Sequence, residues 1–228
     1  YTGSGTVLNS GATFTGDVGS HIGTISGFVP PAFTGTIENA NSATTQARID
    51  LFNLYVDLNS VFDTKTHVAA FGAETITQGV YSIATAGSIA GDLYLNGGGD
   101  VNASFIIKFG GAMAVSAGAN VYLTNGTKAS NVFWIAEGAI TVGAGSIIKG
   151  TLFSHSAAVT LATDVTLEGR MLSMSGAISI AAGSVATKPS SASTIQIPCY
   201  GSTPAADVDV LGSGSLENFG LFTSAGAV

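Results

Sequence analysis

Hydrophobic and polar positions alternate with a period of two through most of the chain, in runs of three to five residues separated by glycine-rich turns. The order is clearest in three successive stretches, Ala139-Ile140-Thr141-Val142-Gly143, Ala158-Val159-Thr160-Leu161-Ala162 and Ala177-Ile178-Ser179-Ile180-Ala181. Thr141, Thr160 and Ser179 are spaced 19 residues apart. A fixed period of this size with strand alternation inside each unit predicts a β-solenoid, in which every unit is one coil. Successive strand residues face opposite sides. Val159 and Leu161 are therefore expected inside, and Ala158, Thr160 and Ala162 outside.

The same alternation separates three faces. The first presents Ala139, Thr141 and Gly143, then Ala158, Thr160 and Ala162, then Ala177, Ser179 and Ala181. Earlier coils are expected to continue it with Ser82 and Ala84 and with Ala114 and Ser116, and Thr6 at the head extends it. The second face carries Ile147, Lys149, Thr166 and Glu168, an ordinary solvated surface. The third turns Phe153 and Leu172 outward, and bulky apolar groups pointing away from a solenoid core need a cover.

One segment breaks the period-two pattern. Ala43, Ala47, Leu51, Leu54, Leu58 and Val61 follow spacings of three and four, which predicts an amphipathic helix over 42–62 with Ser42 as N-cap. A single helix cannot bury its stripe alone, so it is expected to lie on the third face. The first face is then left bare, flat and uncharged.

Composition narrows the function. Charged residues are 9% of the 228, far below the roughly 25% usual for globular domains, and the net charge is −7. Seven scattered Lys and Arg provide no electrostatic footprint for nucleic acid. No apolar run reaches the ~18 residues of a membrane span. Tyr1-Thr2-Gly3 reads as a mature or trimmed start, and the composition suits secretion to the extracellular space. Cys199 stands alone, so no internal disulfide is available, and a monomer is expected.

Catalytic and metal signatures are weak. His21, His67 and His155 have no ligand-like spacing, and Ser154-His155-Ser156 suggests no acid partner. No metal or cofactor is expected. Right-handed β-helices also serve as polysaccharide lyases and adhesins, but those need clustered Asp, Arg or Lys, which 79–187 lacks.

The order of short segments is specific. Thr15-Gly16-Asp17-Val18-Gly19, Ile25-Ser26-Gly27-Phe28, the helix, Gln78-Gly79-Val80-Tyr81, Asn96-Gly97-Gly98-Gly99-Asp100, Asn131-Val132-Phe133-Trp134 and Gly169-Arg170-Met171-Leu172 follow one another in a pattern that resembles the microbial ice-binding protein family, DUF3494. The resemblance covers about residues 7–187. It implies a right-handed, discontinuous β-solenoid of triangular section with one long helix alongside. It also implies adsorption to the surface of an ice crystal through one flat face, without enzymatic activity or a cofactor. In the family that face is built by the strands matching Ala114, Thr141, Thr160 and Ser179.

The expected domain spans 1–189. Residues 190–228 read as an extension that either packs on the solenoid or opens a second copy. Phe222-Thr223-Ser224-Ala225-Gly226-Ala227-Val228 echoes Tyr1-Thr2-Gly3-Ser4-Gly5-Thr6-Val7, and Asn218–Thr223 resembles the start of a family domain, which favours the second copy.

Overall fold

The computed structural model describes residues 1–190; the expected extension and Cys199 lie outside the described residues. Parallel strands stack into three walls around an apolar interior. The first wall runs, in spatial order, Ile25–Ser26, Val7–Asn9, Ile178–Ile180, Val159–Leu161, Ile140–Val142, Met113–Val115, Gly87–Ile89 and Ala70–Phe71. The second runs Phe33–Thr34, Thr13–Thr15, Val185–Thr187, then the opening halves of Thr166–Ser173 and Ile147–Ser154, then Asn120–Thr124, Asp92–Asn96 and Glu74–Thr77. The third holds Gly79–Ile83, Phe105–Phe109, Val132–Ala136 and the closing halves of those two long strands.

Two strands bend through the corner between the second and third walls. The bends are at Gly150 and Gly169, which pair with each other. A Cβ on Gly169 would lie 1.8 Å from the Gly150 carbonyl oxygen, so this corner admits no side chain. The interior is a column of Val, Ile, Leu, Phe and Met, with Val159, Leu161, Ile178, Leu152 and Met171 fully buried. This is the inside that alternation assigned.

The stacking order departs from the chain order at one place. The two coils of residues 1–39 stack against the Ile178–Ile180 coil, at the C-terminal end of the regular units. The chain must then travel to the opposite end before Ala70. The helix, Ser42–Ser60, makes this journey. Its 19 residues span about 28 Å, the height of roughly six rungs.

The helix N-cap is Asn41 rather than Ser42. The Asn41 side chain accepts from the Thr44 N–H at 3.0 Å, and the Thr44 hydroxyl accepts from the Asn41 N–H at 2.9 Å, a reciprocal capping box. Ala47, Leu51, Leu54 and Leu58 bury their side chains against Val80, Ile106, Phe133, Ile135, Phe153 and Leu172. Phe153 and Leu172, outward on the third wall, are thus covered as the sequence predicts. Tyr1 closes the N-terminal end of this layer, its hydroxyl donating to the Thr44 carbonyl at 2.7 Å.

Polar contacts of Lys108 and Tyr55 also fasten the helix. Lys108 Nζ caps the helix end by donating to the Val61 carbonyl at 2.6 Å, and pairs with Asp63 at 3.2 Å. Tyr55 packs edge-on against Phe153 and donates to Glu137 Oε1 at 2.6 Å. Burial, then the hydrogen bond and charge of Glu137, push the Tyr55 phenol up to about 12.

Leu54→Ala should lower the unfolding free energy by about 2–5 kcal/mol, read from urea denaturation, because it empties the centre of the helix contact. Tyr55 supplies a pH test. A phenol near 10 when unfolded and raised when folded stabilises the protein fully below pH 10 and loses that contribution as pH climbs toward about 12. The denaturation midpoint should therefore fall between those pH values, and Tyr55→Phe should flatten the fall.

Candidate functional site

The first wall is left uncovered by the helix and, unlike the second, carries no charge in its outward strand positions. Its registers place one residue per coil directly opposite the next. The central outward column reads Ser26, Leu8, Ser179, Thr160, Thr141, Ala114, Ser88 and Ala70. The Ser179 hydroxyl donates to Thr160 Oγ1 at 3.2 Å, so neighbouring coils touch through their outward oxygens.

Continuing the ladder past the strand ends gives two flanking columns. Bonds such as Val159 N–H to the Ala177 carbonyl and Ile140 N–H to the Ala158 carbonyl align Thr6, Ala177, Ala158, Ala139, Ala112 and Ala86 on one side. On the other, Ser10, Ala181, Ala162, Gly143, Ser116 and Ala90 align through bonds such as Ala162 N–H to the Val142 carbonyl. Every one of these residues is small and uncharged. Their inward neighbours are the packed core, which fixes the outward directions: Val142, Val159, Leu161 and Ile178 are fully buried.

Thr141, Thr160, Ser179 and Ala114 thus sit in the centre, and Thr6, Ser116, Gly143, Ala162 and Ala181 at the flanks. Gly143 lies outside the central threonine column. It fills a flank where a Cβ would lie 2.5 Å from the Ala117 backbone nitrogen. Two predicted positions are elsewhere. Ser82 pairs with Lys108 on the third wall, and Ala84 follows the end of that strand. The coil's true contribution to the first wall is Ser88, flanked by Ala86 and Ala90.

The phase error has a physical origin. Coils before residue 139 carry loops of unequal length, so equivalent positions are 18, 26 and 27 residues apart from Ala70 to Ser88, Ala114 and Thr141. A 19-residue step cannot be extended through them. The alternating signal was available in Gly87-Ser88-Ile89, which is too short to stand out. Leu8 was also missed: it is 43% exposed in the central column, at the place between Ser26 and Ser179.

Within the three columns no group titrates, so the surface has the same charge at any ordinary pH. Along a strand, outward residues recur at roughly 6.7 Å, and coils recur at about 4.8 Å. The result is a two-dimensional lattice of methyls and hydroxyls rather than a cleft. Among the described residues no cluster of three His, Cys, Asp or Glu could hold a metal. His155 does have an acid partner, against the sequence expectation: its Nδ1 lies 2.8 Å from Glu137 Oε2. The adjacent Ser154 hydroxyl donates to the Gly138 and Ala157 carbonyls, which makes it a turn fastener and not a nucleophile.

The model of the Ice-binding-like family matches residues 1–186. An ice-binding protein of Nostoc sp. strain HG1 is 30% identical over 220 residues, covering 93% of this chain and 79% of that protein. Ice-binding protein 1 of Shewanella frigidimarina is 28% identical over 159 residues, 69% of this chain but only 18% of the longer relative. Among solved structures, an ice binding protein from an Antarctic Flavobacteriaceae bacterium superposes with a TM-score of 0.79 at 38% identity, over 82% of this chain and 44% of that one. The ice-binding protein of Antarctomyces psychrotrophicus gives 0.76 at 28% identity, over 83% and 94%. With its whole three-walled body matched by the family model and a relative aligned along most of both chains, this chain belongs to the Ice-binding-like family.

Proposed function

We propose that the protein adsorbs to ice through its first wall and so inhibits ice growth and recrystallisation. The observation that carries this is the in-register column Ser179–Thr160–Thr141 inside an uncharged, flat array open to solvent. The physical argument is one of water order. A threonine methyl arranges adjacent water into a cage, and its hydroxyl anchors that cage by a hydrogen bond. Repeated on a rigid lattice, these groups hold water in positions that an ice surface can continue. A charged side chain would hold strongly oriented, mobile hydration water and break the match.

Rigidity is the other half. Each outward residue sits on a strand whose inner neighbours are packed at crystal density, so ordering the array costs little further entropy on adsorption. Once attached, the protein pins the growing front. Ice must bulge between adsorbed molecules, and the added curvature lowers its local freezing point. The site needs no cofactor and no reacting group, and one copy presents the whole face, so a monomer acting as a non-enzyme is sufficient. Dilute external water is where such a protein is useful, which supports secretion; among the described residues no helix is long and apolar enough to cross a membrane.

Thr160→Tyr and Ser179→Tyr should each abolish most of the thermal hysteresis, measured by nanolitre osmometry, while shifting stability by no more than about 1 kcal/mol. Ser82→Tyr, on the third wall, should leave activity intact. Full activity in both face variants would remove the assignment. Because the array holds no ionisable group, hysteresis should also stay constant between about pH 5 and 9; a titrating loss in a folded protein would place the site elsewhere.

A further inference from the structure

A groove of about 900 Å³ lies between the outer side of the helix and the corner turns that join the third wall to the first. Its size is that of a small-molecule site. The lining has two characters. Ile22, Ile49 and Phe52 form an apolar floor and are 59%, 52% and 53% exposed, although none belongs to the flat array. Arg48, His21 and His155 line the same groove, and no carboxylate does.

Arg48 is a fixed cation in a chain of net charge −7 that has only seven Lys and Arg. Arg48 has no ion-pair partner among the described residues. His21 Nδ1 is buried without a hydrogen-bond partner. The nearby acids are directed elsewhere. Asp50 is buried in the helix interface and accepts from Gln46 at 3.0 Å, and Glu137 is held by Tyr55 and His155. A fixed cation, Arg48, beside an apolar floor is complementary to an anion with a hydrophobic body.

We infer that this groove binds a carboxylate-headed amphiphile, with its head on Arg48 and its hydrocarbon body against Ile49 and Phe52. Guanidinium–carboxylate pairing supplies orientation, and covering three exposed apolar side chains supplies the driving force. A cationic or neutral chain of equal length would gain only the second term.

Sodium decanoate titrated into the intact chain by calorimetry, below its micellar range, should saturate at one equivalent. Arg48→Gln and Phe52→Ser should each weaken binding about tenfold or more, and decyltrimethylammonium should bind at least tenfold more weakly than decanoate. Both substituted residues are exposed, so both variants should fold. Thr160→Tyr should bind decanoate as the parent does, which separates this site from the flat face. Failure of the intact chain to saturate, whether the groove binds nothing or is filled by another part of the molecule, overturns the inference. So does equal binding of the cationic amphiphile, or indifference to Arg48→Gln.

Discussion

Stacking of parallel strands in strict register is the constraint on which the structure depends. A backbone ladder alone would tolerate a slip. What forbids it is the interior: shifting one coil by a single residue would turn Val159 and Leu161 to solvent and Thr160 into the core. Hydrophobic burial inside therefore sets the alignment of hydroxyls outside. The flatness of the first wall is a consequence of packing that no outward residue touches.

The same constraint explains the helix. Three walls close an interior, but the third wall also turns Phe133, Phe153 and Leu172 outward, and those must be covered. The segment that covers them is also the one that carries the chain from the head coils to the far end of the stack. One element thus solves a burial problem and a connection problem. With the helix on the third wall and charges on the second, only the first is left able to meet an extended, regular partner. The groove beside the helix is a by-product of that docking, since a cylinder laid against a flat wall leaves a channel along its edge.

The array shows how little chemistry the proposed adsorption requires. Alanine and glycine at the flanks belong to the array as much as threonine at the centre. They keep the surface level, and at Gly143 a side chain would drive into the neighbouring coil's backbone. Ala114, Ala70 and Leu8 mark where the column departs from hydroxyls, so the array is a mixed methyl–hydroxyl surface whose regular part is the central three coils.

The sequence by itself determined the solenoid, its three faces in the regular coils, the covering helix and the Thr141–Thr160–Ser179 column. These are local periodicities, and period-two and period-3.6 patterns report directly which side chains must be buried. Only the tertiary structure decided what depends on contacts distant in sequence. Loops of unequal length hid the phase of the early coils, so that Ser88 and not Ser82 joins the face. Stacking of the head on the C-terminal coil brought Leu8 beside Ser179, 171 positions away. Pairing of Glu137 with His155 came from neighbouring coils stacking at a corner, and with Tyr55 from the helix meeting that corner. Alternation states which way a residue points on its own strand; which strand lies beside it is settled by closure of the whole stack.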